Sequence, residues 1–292
     1  MKKCFVLGIA LLVVAATGFA QNPSELNNPN THHMPVQGWA RPGGGGGQNL
    51  VYHSGGPVII TAHVVDIFWG PSFAITGSND NSYAKSLEGF RDNFGKTGEY
   101  GVITQYYQNL GSGNQYITGG TINPISLKGS QGDWFDITIP PTNVTDSDVQ
   151  AEVSLYITAN GWDASTIYEV FIPSSSYSSD GSSTSCGGPN LAYCAYHGHF
   201  KNAVGQDVKY SIQPWAGCSG CSSFSNPLYD QEHFVCHETR EAVTDEDLNA
   251  WYDRRGSEAD DKCAWSPTPF LDGGYAYQYE WSNAIGGCVQ KQ

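Results

Sequence analysis

The chain is short of charge, and of positive charge above all. Only 14% of its 292 residues are Asp, Glu, Lys or Arg, and acidic residues outnumber basic ones 28 to 14. The net charge of −14 repels phosphate backbones and anionic headgroups, so nucleic acid and membrane surfaces are poor partners. Beyond the first twenty residues no apolar run is long enough to span a bilayer. No internal repeat is present, and strand-like and helix-like segments do not alternate regularly, which argues against a doubly wound α/β fold and for α+β. Cysteine is missing between Cys4 and Cys186. A disordered acidic tail is excluded by the 13% of aromatic residues.

What the chain does have begins with its first twenty residues. Lys2 and Lys3 precede an apolar stretch over residues 5–16, and Gly18-Phe19-Ala20 supplies small residues where a signal peptidase reads. Residues 1–20 are therefore expected to be a signal peptide, and the remainder to be secreted. Cys4 precedes the apolar run and does not read as a lipidation site. Residues 21–54 are rich in Asn, Pro and Gly, with a pure glycine run at 43–47, and are expected to form a flexible leader. Residues 55–292 are expected to form one mixed-sheet α+β domain with a disulfide-stabilised C-terminal half.

Within it, residues 58–68 read as a strand and residues 83–94 as a helix, from the spacing of Leu87, Phe90 and Phe94. Residues 102–110 read as a second short helix. Residues 146–159 read as a helix capped by Thr145, and residues 167–173, 191–200 and 208–215 as strands. Residues 174–185 read as a Ser-rich loop, residues 228–248 as the longest helix, and residues 275–281 as a final strand. Asn143-Val144-Thr145 is a glycosylation sequon.

Seven cysteines follow residue 185, so at most three bridges form and one thiol is left. Sequence does not fix the pairing. Closure of local loops suggests Cys186–Cys194, Cys218–Cys221 and Cys263–Cys288, with Cys236 free and buried in a helix. Cys218 and Cys221 have redox CxxC spacing but no βαβ context, so a structural bridge is expected.

The chemistry concentrates in Cys236-His237-Glu238-Thr239-Arg240-Glu241. On a helix, His237 and Glu241 stack four apart on one face, and Asp245 extends that line. Val235, Thr239, Ala242 and Val243 lie on another face that can pack on a sheet. The pattern is close to H-E-x-x-H, in which residues i and i+4 hold zinc and the Glu after the first is general base. The second histidine is Glu241 here, and Glu258 lies downstream where a third ligand can come. The expectation is that His237, Glu241 and Glu258 hold a divalent metal and that Glu238 is the catalytic base. Zinc is the first choice; two carboxylates beside one imidazole also suit calcium, manganese or magnesium. The alternative is that these are ordinary solvated ion pairs, Glu238 with Arg240 and Glu241 with Arg254 or Arg255.

The segment His237-Glu-Thr-Arg-Glu-Ala-Val-Thr-Asp245, then Asn249-Ala-Trp-Tyr-Asp253, then Gly256-Ser-Glu258-Ala-Asp-Asp261-Lys-Cys263, resembles the C-terminal signature of the EXORDIUM-like (phosphate-induced protein) family. That signature runs roughly H-E-x-x-E-x-x-T-N/D-P, A-W-Y, E-I-x-D-x-C. Gly55-Gly56-Pro57 through Ile67-Phe68-Trp69-Gly70, Cys194-Ala195-Tyr196-His197, Pro214-Trp215-Ala216-Gly217 with Cys218 and Cys221, and Gln278-Tyr279-Glu280-Trp281 up to Cys288 are similar to other family segments. The likeness covers residues 55–288. It departs at Glu246, where the family often has Pro, and at Ala195, where Gly usually follows the cysteine.

The resemblance implies a secreted or cell-wall-associated protein. Its bacterial members carry the H-E-x-x-E helix and look like zincin-type metallopeptidases, an analogy of fold. Carried over by position, the site residues are His237, Glu238, Glu241, Glu258 and Asp261, with His197 a further metal-ligand candidate. His199 and His233 match no family position. The expected function is a secreted metal-dependent hydrolase, of metallopeptidase type, acting on an extracellular peptide. The competing expectation is a non-catalytic extracellular protein that binds cell-wall polymer through Trp and Tyr, with a structural calcium-like metal or none.

Overall fold

A computed structural model of the chain describes residues 28–38, 48–125, 127–128 and 132–292. The expected signal peptide and the glycine run lie outside the described residues. The core is a six-stranded mixed sheet. Its strands in chain order are β1 (Thr31–Pro35), β2 (His63–Trp69), β3 (Trp134–Asp136), β4 (Thr166–Phe171), β5 (Tyr193–Lys201) and β6 (Asp207–Gln213). They lie side by side as β1-β5-β6-β4-β2-β3. The β1–β5 and β5–β6 pairs are antiparallel; the other three are parallel.

Both faces of the sheet are covered, and the strands alternate accordingly. Val64, Phe68, Ile167 and Phe171 point into one core, with Phe90 and Phe94 of helix α1 (Asn79–Phe94) and Val235 and Val243 of helix α3 (Pro227–Thr244). Val65, Ile67, Tyr168 and Val170 point into the other, with Val149, Val153 and Tyr156 of helix α2 (Asp146–Asn160). This period of two is the geometry of a pleated strand, and each fully buried Phe or Val contributes about 1.5–3 kcal/mol. Thr145 caps α2 as expected: its hydroxyl accepts from the Asp148 N–H, and the Asp148 carboxylate accepts from the Thr145 N–H.

Helix α3 is the element that positions the site. Pro227 occupies its first turn, where a missing N–H costs nothing, and the Asn226 side chain accepts from the Leu228 N–H. It ends four residues before the expected Leu248. At its end Asp245 turns back, and its carboxylate accepts from the Asn249 and Ala250 N–H groups. Every residue from Asp230 to Thr244 is buried, because the helix packs against β5 and β6 on one side and the C-terminal strands on the other. The alternative of solvated ion pairs is therefore not met, since Glu238, Arg240 and Glu241 are all fully buried. Arg240 instead lies in the core, paired with Asp260 and with Glu280 at 2.7 Å.

Other expectations are corrected. The flexible leader over residues 21–54 is not the state of Thr31–Pro35, which is fully buried and forms the sheet's edge strand. Val58, Ile59 and Ala62 are buried, but residues 58–62 are not a strand, because their backbone bonds go elsewhere: Ile59 N–H donates to the Val243 carbonyl at 3.0 Å and the Ile60 carbonyl accepts from Thr118 N–H at 2.8 Å. Residues 102–110 form a 3-10 turn (Val102–Gln105) and a short strand (Tyr107–Gln108). The Ser-rich loop contains two short strands, Tyr177–Asp180 and Ser183–Thr184. Residues 275–281 split between two hairpins, Tyr275–Tyr277 in one and Glu280–Ser282 in the next.

The bridges are Cys186–Cys218, Cys194–Cys221 and Cys263–Cys288, and Cys236 is free and buried. Two of the three expected pairs are thus wrong. Cys194 lies on β5, where the extended backbone carries it away from Cys186, and Cys218 and Cys221 precede and end a 3-10 turn that directs them to different partners. A redox bridge between Cys218 and Cys221 is not formed. Loop separations of 32, 27 and 25 residues correspond to about 3.5 kcal/mol of stabilisation each by the chain-entropy argument. Among the described residues no helix is long and apolar enough to cross a membrane.

Candidate metal centre

Strand register brings a row of polar side chains under α3. His32 on β1 faces His197 on β5, which faces Ser211 on β6, which faces Glu169 on β4, which faces Asp66 on β2. All five share one face of the sheet because directly opposed residues project to the same side. The row's β1–β5 end meets His237, Glu238 and Glu241 of α3, and the loop after α3 returns Glu258 and Asp261 to the same place.

Three histidines and four carboxylates converge there. His237 Nε2 lies 3.1 Å from Glu241 Oε2. His197 Nδ1 lies 3.1 Å from Glu238 Oε2 and 3.8 Å from Glu241 Oε2, and its Nε2 lies 3.8 Å from Glu258 Oε2. His32 bridges Glu258 Oε1 at 3.3 Å and Asp261 Oδ2 at 2.9 Å. The Asp261 N–H donates to Glu241 Oε1 at 2.9 Å. Potential ligand atoms fall into three groups, each within 4.8 Å: His237–Glu238–Glu241, His197–Glu241–Glu258 and His32–Glu241–Asp261. Glu241 belongs to all three.

All the sequence-derived candidates, His237, Glu238, Glu241, Glu258, Asp261 and His197, thus meet in one place. Their grouping differs from the expected ligand set: Glu258 joins His197 and Glu241 rather than His237. Asp245 belongs to none of these groups: its Oδ1 accepts from the Asn249 and Ala250 N–H groups in the turn after α3, and its Oδ2 is buried without a hydrogen-bond partner. His32 was missed by sequence reasoning. Its signal, a His-His pair at 32–33, lies in a stretch whose composition reads as leader.

Gln278 joins two of the imidazoles of this region. Its amide N–H groups donate to the Asp260 carbonyl at 2.7 Å and carboxylate at 2.9 Å. Its Oε1 is therefore left to accept, from His233 Nε2 at 2.8 Å and His237 Nδ1 at 3.1 Å. A neutral His237 with its proton on Nδ1 has a bare Nε2 lone pair facing Glu241. Fixing a ligand imidazole through its other nitrogen is the usual second layer of a metal site.

Electrostatics describe a place short of positive charge. Burial holds the Glu238 carboxyl well above the usual range, against the pull of His237. Glu258 is raised by burial and then by Glu241, Asp245 and Asp261. Burial, with the neighbouring His32 and His237, holds His197 well below its ordinary value. Burial works to lower His237 and His32, but adjacent carboxylates outweigh it: His237 is raised well above its ordinary value by Glu241, and His32 to about 9 by Asp261. Asp261 resists burial through His32 and is lowered.

The residues fit a cation on a further observation. His197 Nε2, His237 Nε2, Glu238 Oε1, Glu241 Oε2 and Glu258 Oε2 are buried without a hydrogen-bond partner. Buried polar atoms are normally satisfied, so five orphans at one point call for a ligand or for strain. A second group, His199–Asp207–Asp247, differs. Lys201 and Lys209 already neutralise it, at 2.8 Å and 3.2 Å from Asp207.

Comparison of the chain with protein-family models, with curated proteins and with solved structures finds no match in any of the three.

Proposed function

We propose that this is an exported hydrolase of metallopeptidase type, dependent on a divalent metal, in which α3 is a zincin-like helix and the chain is an EXORDIUM-like protein. The observation that carries the reading is the set of five orphaned, buried donor atoms around Glu241. Three disulfides add weak support for an oxidising, extracellular setting. His237 and Glu241 would hold the cation on the Glu238 side, and His197 and Glu258 form a neighbouring group of donors that shares Glu241. Mixed imidazole and carboxylate donors suit zinc or manganese, with calcium favoured less as imidazoles enter the set. A bound divalent cation supplies Lewis acidity toward an oxygen of the scissile group. Glu238 would act as general base: His197 Nδ1 holds its Oε2, and its Oε1 is left to take a proton.

The test is metal content of purified residues 21–292, together with peptide hydrolysis. Stoichiometric metal is expected, lost in His237→Ala. Glu238→Gln should keep the metal and lose hydrolysis by at least about a hundredfold. A protein free of metal, with Glu238→Gln as active as the parent, overturns the reading.

A second reading is favoured by burial. His197, His237, Glu238, Glu241 and Glu258 are all 0–2% exposed, which suits a structural ion that fastens β1, β5, α3 and the following loop. Here Glu238→Gln changes no reaction, and chelation lowers the melting temperature. Sugar binding by aromatic stacking has less support. Tyr116 is the single aromatic among the exposed large apolar side chains of the described residues, the others having gone mostly into the core.

A further inference from the structure

We infer that the centre takes two divalent cations bridged by Glu241, the second held by His32 and Asp261 with Glu258; this rests on the metal reading above. Reach is the first reason. Ligand atoms of one zinc-sized ion sit about 2.1 Å from it, so any two lie at most about 4.2 Å apart. The seven candidate donors divide into three overlapping groups at 4.8 Å and do not form one. His237 and Glu238 mark one side of Glu241, His32 and Asp261 the other. Glu241 offers an oxygen to each: Oε2 faces His237, and Oε1 lies beside the Asp261 backbone.

Charge is the second reason. Glu238, Glu241, Glu258 and Asp261 are four carboxylates, and among the described residues their ion-pair partners are the three histidines. Imidazoles that ligate metal are neutral. One divalent cation then leaves two negative charges buried without compensation; two cations balance the four carboxylates. Unpartnered atoms occur in two of the three groups that share Glu241: His237 Nε2 and Glu238 Oε1 in one, His197 Nε2 and Glu258 Oε2 in another. β1 is then a functional part of the site, because it delivers His32.

The experiment is zinc stoichiometry of residues 21–292 after dialysis against Zn²⁺, by elemental analysis against protein concentration. Two equivalents are expected, falling to one in His32→Ala and in the near-isosteric Asp261→Asn. One equivalent in the parent, unchanged in both variants, overturns the second position and leaves the first; His32 is then an imidazolium clamp between Glu258 and Asp261. No bound zinc overturns both readings. Should the variants fail to fold, the Mn²⁺-loaded parent decides: a spin-coupled pair signal in electron paramagnetic resonance supports two ions, and an isolated-ion signal refutes them.

Discussion

Replacing Gln278 with Leu tests whether His237 is a metal ligand whose lone pair is aimed by its neighbour. The side chain makes four hydrogen bonds in the core, two accepted from His233 and His237 and two donated to Asp260. Leu fills a similar volume but strands two imidazole N–H groups. An unsatisfied buried donor costs about 1–3 kcal/mol, so the loss is about 2–6 kcal/mol; Asp260 keeps Arg240 and adds little. With Nδ1 no longer held, the ring can turn or change tautomer, and removing such a partner weakens metal binding about 10–100-fold. Urea unfolding reads the first effect and zinc competition against a chelator reads the second. His233→Leu is the control. It also breaks a bond to Gln278, but His233 does not reach the carboxylates, so it should lower stability and leave zinc affinity within about twofold. A Gln278→Leu protein that is destabilised yet binds zinc like the parent would refute the orientation argument.

Arg240→Met should destabilise by about 3–5 kcal/mol, because Asp260 and Glu280 are then left as buried carboxylates without a cation; a urea midpoint shift worth under about 1 kcal/mol would show that the network is not needed. Glu152 is raised from 4.5 to about 8 by burial and then by Asp136. Its contribution to stability is full below about pH 4.5 and is lost as pH rises toward 8, since the folded state must then bury a charge. Glu152→Gln should therefore melt like the parent at pH 4 and higher at pH 8, and a difference independent of pH would sink the assignment. Burial pushes the Cys236 thiol up to about 12, so iodoacetamide should leave native residues 21–292 unlabelled at pH 8 and add one label on denaturation without reductant. A peptide map of the same sample should show Cys186 joined to Cys218; finding Cys186 joined to Cys194 would contradict the fold of the β5 region.

The most legible part of the molecule was α3, because its chemistry and its packing face are contiguous in sequence. The return of Glu258 to α3 was also legible, by spacing, and the Cys263–Cys288 pair by its local loop. Legibility stopped where contacts depend on tertiary register. The imidazole of His32 reaches the site only because β1 pairs with β5 in one particular register, and a shift by one residue would point His33 there instead. In the observed register His33 meets Asp180 at 3.0 Å on the other side. Composition could not show this, since Asn, Pro and Gly around β1 suit a leader as well as they suit the turns flanking an edge strand. Gln278 was unreadable for a different reason. An amide between two C-terminal hairpins acquires a role only when Asp260 fixes which way it faces.

The polar row across the sheet connects these points. Apolar residues at His32, His197, Ser211, Glu169 and Asp66 would pack beneath α3 at less cost than charged ones, since a buried ionisable group is expensive unless paired. At the β2 end the fold supplies the pairing itself. Arg91 lies 2.8 Å from Asp66 and also binds Asp133, and the Thr239 hydroxyl donates to Glu169 at 2.7 Å. At the β1 end the carboxylates are as numerous and as buried, but among the described residues the only groups that can carry positive charge within ion-pair reach are histidines. The same face of one sheet thus has a guanidinium, charged at any working pH, at one end and only titratable histidines at the other. That asymmetry, more than the H-E-x-x-E spacing, is the reason to look for metal at Glu241: the end without an arginine is the end where buried donor atoms converge from four separate elements.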